Sequence, residues 1–364
     1  MADRRTPILV AAGAALVLCS AGFARPGPYT EAGVNGYVNP IERFRRANPL
    51  TDPNAVLNPV FRGWATGVAG YEPAAGVDAE WSDSGKALGP ATGDNFDIVS
   101  LGDLDGGAIG SGALPGRITL LFGDPCRPGD PNHIRDGAGY DFVVFENAFV
   151  SLYNRPTGSV AGQMLAELAY VEVSSNGRDF ARFAGVSLTD GLVGPYGTIE
   201  ISDVYNLAGK HPNANGVCTG TPFDLSELAG DPLVVGGAVD INEISYVRIV
   251  DIPGSGDFLD DAAGHIDPAT RPEWDYYGQN HRVYDAWVTW GSGGFDLEAV
   301  GVLAEQEHPA DIDLNGVVDM FDFALFGSAW GRHFGEQGWI GRCDLARHGD
   351  MVVDWRDLAA FAGQ

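Results

Sequence analysis

Short apolar runs of period two recur between about residue 60 and residue 303. In Ala169–Ser174, Ala169, Val171 and Val173 take one side while Tyr170, Glu172 and Ser174 take the other, the alternation of a strand. Ile118–Phe122 and Asp141–Glu146 are equally short and rich in β-branched and aromatic residues. Ser175-Asn176-Gly177 supplies residues that tolerate positive φ, and Phe180–Phe183 resumes an extended run, so a hairpin is predicted. Further strands are predicted at Ile244–Asp251, Tyr284–Trp290 and Phe295–Val302. Parallel sheets need helical crossovers, and these are missing apart from one or two helical turns at Phe223–Leu228. The expected fold is therefore mainly β: an antiparallel, jelly-roll-like β-sandwich over residues 60–303.

The flanks differ in character. Residues 1–24 read as a secretory signal: Arg4 and Arg5, the apolar run Ile8–Leu18, then small residues toward Ala24. That run is too short for a stop-transfer helix, and no other stretch is long and apolar enough to span a bilayer. Cys19 raises lipoprotein processing, but Leu18 before it is too large for a good lipobox. Residues 25–59, rich in Pro and Asn, predict an extended arm, and residues 304–310 a linker. Gly 51 and Pro 22 suit many short strands joined by tight turns. The formal net charge of −27 argues against nucleic-acid and anionic-membrane partners, and its carboxylates suit calcium. Cys126 and Cys218 lie in turn-rich loops, where an oxidising compartment would allow them either to pair or to stay free; Cys343 stands alone.

The sharpest motif lies in residues 311–322. Asp311, Asp313, Asn315, Asp319 and Asp322 fall at positions 1, 3, 5, 9 and 12 of a loop with Gly316 at position 6. Calcium needs this layout: alternating side chains wrap the ion, Gly316 permits the bend, and the Val317 carbonyl adds a backbone oxygen. Apolar residues then recur at helical spacing through Phe323, Phe326 and Trp330. A second copy follows 35 residues on, with Val317–Phe326 aligning on Val352–Phe361. It keeps Asp350, Asp354 and Asp357 but has Ala346, His348 and Met351 at positions 1, 3 and 6, so a weak or empty site is expected. This tandem resembles type I dockerins over residues 311–364. The resemblance implies a small α-helical, EF-hand-like calcium module with a cohesin-like or other surface partner. Positions 10 and 11 help choose that partner in dockerins; here they are Met320-Phe321 and Trp355-Arg356, unlike the small hydroxyl pairs of many cellulosomal examples.

The larger region carries a second resemblance. Lys86–Asp94, Asp97–Gly102, Asp141–Asn147, Val171–Phe180 and Gly294–Val300 are similar to a family of bacterial secreted cell-surface proteins without settled activity. The segments Val171–Phe180 and Phe295–Val302 also resemble discoidin-type, galactose-binding-like modules. Nucleophile elbows, zinc-binding helices, phosphate loops and dinucleotide fingerprints are absent from the sequence. Asp141 and Glu146 flank one strand at opposite ends and on opposite faces, which suits structural roles or calcium binding better than acid–base catalysis. Asp257, Asp260, Asp261 and Asp267, with His265, form an acidic segment that reads as a solvated loop or a cation site. Trp274, Tyr276 and Tyr277, among Asp275, Gln279 and Asn280, are the candidate sugar-stacking residues. The expected function is non-catalytic binding of a carbohydrate or other surface ligand, outside the cell or at its surface. The alternatives are a dockerin-bearing polysaccharide hydrolase or lyase, and a structural envelope protein.

Overall fold

The computed structural model describes residues 29, 31–39, 46–265, 279–304, 310–312, 318–333, 336, 338–340, 343–345 and 352–362. The signal segment 1–24 and most of the linker lie outside these residues. The protein is mostly β, with antiparallel sheets that curl around a common core. Eleven strands form two main sheets: β1 (Val34–Asn35), β2 (Phe61–Trp64), β3 (Gly67–Glu72), β4 (Val99–Ser100), β5 (Arg117–Leu121), β6 (Phe142–Glu146), β7 (Ala169–Ser174), β8 (Ala181–Arg182), β9 (Thr219–Phe223), β10 (Tyr246–Asp251) and β11 (Asp296–Leu303). The first sheet runs β1–β9–β6–β11–β2, with β4 pairing the other end of β11; the second runs β8–β7–β10–β5–β3. Every pairing within these two sheets is antiparallel.

Period-two alternation explains how the sheets meet. Phe142 and Val144 of β6, with Phe223 of β9, share one buried cluster with Ile118 and Leu120, Val171 and Val173, and Val247 and Ile249 of the second sheet. Phe142 stacks on Phe223 at 5.4 Å between ring centres, and Phe183 meets both edge-on. The other parity of β6, Val143 and Phe145, is buried too, under Val34, Phe61 and Cys218. The first sheet is thus covered on both faces, so β6 reads as an unbroken apolar run.

The N-terminal arm is more than a covering. Val34–Asn35 enters the first sheet as an edge strand, and buried Lys210 holds the arm by contacts to the Glu31 carboxylate and the Tyr29 carbonyl. The predicted hairpin forms, with β8 paired to β7, and Leu225–Leu228 is a 3₁₀ turn capped by Asp224. The predicted strand Tyr284–Trp290 does not form. Its polar groups bond elsewhere: Ala286 N–H reaches the Ala166 carbonyl, Thr289 N–H reaches Asp103 Oδ2, and the Asp285 carboxylate takes Leu168 N–H. Cys126 is exposed and Cys218 is buried, and the two do not pair. Among the described residues, no helix is long and apolar enough to cross a membrane.

Two helices form in the C-terminal segment, α1 (Met320–Ala329) and α2 (Trp355–Ala362), and their first residues stand 35 positions apart, as the repeat implies. Phe326 of α1 meets Phe361 of α2 at 5.4 Å. Ile312, Phe326, Ala329 and Val353 are buried in one cluster with Tyr29, Val186, Tyr205 and Ala262, so the tail shares a core with the larger region.

Candidate acid-lined binding site

Both helices of the tail begin in the same way. Asp319 Oδ1 accepts Phe321 N–H at 2.7 Å, and Asp322 Oδ2 accepts Asp319 N–H at 2.8 Å, a reciprocal capping box. In α2, Asp354 Oδ1 accepts Arg356 N–H and Asp357 Oδ2 accepts Asp354 N–H, each at 2.7 Å. Asp322 and Asp357 are fully buried. Asp322 Oδ1 also accepts Ile312 N–H at 2.7 Å, which ties the entrance of the first loop to its exit beside buried Asp311. The second loop kept Asp354 and Asp357 while losing positions 1, 3 and 6, and helix capping accounts for that. Of the first loop's candidate ligands, Asp311, Asp319 and Asp322 are described, and Asp319 Oδ1 and both Asp322 oxygens accept backbone N–H groups. Asp313, Asn315, Val317 and Asp350 lie outside the described residues.

Trp274, Tyr276 and Tyr277 also lie outside the described residues, as does Asp267. The nearby acidic segment differs from its expected form. Asp260 is buried and accepts N–H groups from Ser187, Ala262 and His281, while His281 Nδ1 lies 2.8 Å from its Oδ2. It is an internal anchor for the chain, neither a solvated loop residue nor an open cation ligand.

Asp141 and Glu146 do stand at opposite ends of β6. At the first end Asp136, Asp141 and Asp224 bring carboxylate oxygens within 4.8 Å of one another. Asp141 Oδ1 accepts Gly137 N–H at 2.8 Å and Oδ2 accepts Leu225 N–H at 2.7 Å. Burial, with the charges of Asp224 and Asp136, pushes Asp141 up to about 8.

At the second end the sheets bring together a larger set. Glu146 continues the inward parity of Phe142 and Val144, Asp251 that of Val247 and Ile249, and Glu167 precedes Ala169, Val171 and Val173 on the same parity. Asp251 pairs with Ala169 across β10 and β7, and Glu146 pairs with Leu297 beside Asp296. Asp103 and Asp285 complete the cluster through charge–charge effects on Asp251, Asp285, Glu146 and Glu167. Burial raises all six carboxyls: Asp103 to about 6, Asp296 to about 8, and Glu146, Glu167, Asp251 and Asp285 well above their ordinary values.

Polar satisfaction here is uneven. Glu167 Oε1 accepts the Thr289 hydroxyl at 2.6 Å and Gly294 N–H at 3.0 Å. Gly294 holds φ +75°, and a Cβ there would sit 2.5 Å from the Gly102 backbone, so this donor depends on glycine. By contrast, Asp103 Oδ1, Glu146 Oε2, Asn147 Oδ1, Asp251 Oδ2 and Asp296 Oδ1 are buried atoms without a hydrogen-bond partner.

A cavity of about 320 Å³ opens above this cluster, lined by Asn147, Glu167, Thr289, Asp296 and the rings of Tyr196 and Trp290. Trp290 is 71% exposed and Tyr196 62%. Phe149, Leu165 and Tyr196 also line a neighbouring cavity of about 1060 Å³, whose walls include Leu152, Tyr153 and Val217. The two cavities share a wall of Phe149, Leu165 and Tyr196, the smaller acidic and the larger mostly apolar.

No family model, curated protein or solved structure matches this chain.

The sequence reading missed Glu167, Asp251, Asp285, Asp296, Asn147, Tyr196 and Trp290. A signal was available at some of them: a carboxylate on the inward parity of an apolar strand, as at Asp251, is costly to bury without a partner. Tyr196 and Trp290 lie in irregular backbone, where no period marks a side chain's direction.

Proposed function

We propose that this is a secreted or cell-surface binding protein. Its β domain, a jelly-roll-like sandwich, takes a carbohydrate or similarly polyhydroxylated ligand in the acid-lined cleft. Its C-terminal segment is a calcium-stabilised, dockerin-like module for a cohesin-like or other surface partner. The observation that carries the reading is the pairing of exposed Trp290 and Tyr196 with Glu167, Asn147 and Asp296 around one cavity. Aromatic faces stack on sugar rings, and carboxylate and amide oxygens accept sugar hydroxyls. Each stacked ring contributes about 1 kcal/mol beyond area burial, so one sugar unit binds weakly and a polymer binds by repeated contact. Affinity electrophoresis against a polysaccharide panel tests this. Retardation of the wild type should be lost in Trp290→Ala and Tyr196→Ala; unchanged retardation in both removes the cleft from the function.

A polysaccharide hydrolase or lyase is the second reading. Glu167 and Asp296 share the cavity, and a carboxyl held protonated near neutral pH is suited to general acid catalysis. Release of reducing or unsaturated ends, abolished by Glu167→Gln, would favour it; release that survives Glu167→Gln and Asp296→Asn would refute it.

For the tail, the motive is the first loop's ligand pattern together with its buried carboxylate Asp311. Calorimetry on the full chain should lose one calcium event on Asp311→Ala. An unchanged isotherm would remove calcium from the first loop.

A further inference from the structure

We infer that the acidic end of the β domain is itself a divalent-cation site, taking calcium or a similarly hard ion among Glu146, Asn147 and Asp296 at the floor of the cleft. Clustered carboxylates alone would not carry this. The deciding observation is that Glu146 and Asp296, each only 3% exposed, both have a buried oxygen with no donor, and so does the neutral amide of Asn147. Buried acceptors in folded proteins are paired, so several orphaned together need a common partner. A small cation would supply that partner, since no lysine, arginine or histidine is among the main influences on Glu146 or Asp296. Their donors are the neutral Ser100, Ser292 and Asn147 side chains and the Ala148 and Asn147 backbone.

The backbone places the three donors at one ladder end. Glu146 closes β6, Asp296 opens β11, and Asn147 N–H donates to the Asp296 carbonyl at 3.2 Å. Strand pairing sets Leu297 opposite Glu146, and Asp296 precedes it at the ladder end, where its charge is the largest acting on Glu146. A monatomic ion can enter where an organic ammonium on a ligand would stop at the cleft. Calcium takes six to eight oxygens, and the 320 Å³ cavity bordered by Asn147 and Asp296 leaves room for water to complete the shell. The Asp136–Asp141–Asp224 group is less suited, because both Asp141 oxygens already accept backbone N–H groups. The inference shares its cavity, Asn147 and Asp296 with the glycan reading but is tested by ion binding alone, and it is separate from the tail loop.

The test uses the full chain carrying Asp311→Ala and Asp313→Ala, which removes the tail loop as a competing site. Equilibrium dialysis with labelled calcium should still find one ion per chain. Terbium in its place should luminesce on tryptophan excitation, because Trp290 lines the same cavity, and Trp290→Phe should dim that signal. Adding Glu146→Gln and Asp296→Asn should weaken binding by roughly tenfold or more, as expected when two charged ligands are lost. If the tail-loop variant binds no ion, the inference fails, whether or not the further variants fold. It also fails if calcium binds equally after Glu146→Gln and Asp296→Asn, or if the orphaned oxygens take up only protons. Should wild type and tail-loop variant each bind one ion, the tail reading falls and this site stands.

Discussion

Asp141 and Glu146 lie at the two ends of β6, and the chain treats them differently. Asp141 is enclosed by backbone, and the N–H groups of Gly137 and Leu225 occupy both its oxygens. Only Asp136 Oδ1 is left unpaired in that group. Glu146 ends the same strand among carboxylates that leave four oxygens without donors, beside the unpaired amide oxygen of Asn147. Burial raises both acids, so depth alone does not separate them. What separates them is whether the fold supplies donors. A carboxylate with two backbone donors organises its loops, whereas one without them needs a partner from outside the chain.

The largest effect should follow Asp141→Ala, which orphans two N–H groups and should cost about 3 kcal/mol in chemical denaturation, with no recovery in calcium. A loss under about 1 kcal/mol would mean that water replaces the carboxylate, and the contrast between the ends would weaken. Glu146→Gln should act in the opposite sense without divalent ions. It removes a buried acid one of whose oxygens has no donor and should raise stability by about 1 kcal/mol in chelator, and the gain should vanish or reverse in calcium.

The acidic end should also shape stability against pH. Asp103 and Asp296 have folded values raised to about 6 and about 8, against an ordinary aspartate value of 3.8. The folded state therefore binds more protons than the unfolded state between these values, and stability falls as pH rises from about 4 to about 8. Denaturation midpoints in chelator should show that fall, and calcium should flatten it. A flat profile in chelator would mean that the cluster is already neutralised.

The tail repeats the comparison on a smaller scale. Asp354→Ala should cost about 1 kcal/mol, the worth of a helix cap, equally with and without calcium. A calcium-dependent cost would return the second loop to the metal sites. Smallest of all, Trp290→Ala should move the folding midpoint by no more than about 0.5 kcal/mol, because the ring is exposed. A larger shift would place Trp290 in the core.

The sequence makes the antiparallel β framework legible because alternation and turn residues act locally. It marks β7 through Ala169, Val171 and Val173, the hairpin at Asn176-Gly177, and the 35-residue spacing of the two tail helices. Three kinds of feature escape it. Tyr284–Trp290 has strand-like composition, yet its polar groups bond outside any ladder, to Ala166, Asp103 and Leu168. Glu146 and Asp296 lie 150 residues apart, and only the register of β6 against β11 brings them together. Asp354 looked like a ligand surviving in a damaged loop, whereas its cap needs no ion.

If the protein works at a surface as proposed, the packed joint between the tail and Tyr29, Val186, Tyr205 and Ala262 has a consequence for traffic there. A module hung on a flexible thread would let the protein sweep in every direction. A module sharing a core with its neighbour works as a bracket. Copies mounted through their tails would all point their clefts the same way, like tiles laid in one orientation. On the proposed glycan reading, a long polymer passing over such an array would meet many weak seats in succession, and its grip would grow with the number of copies and not with the strength of any one.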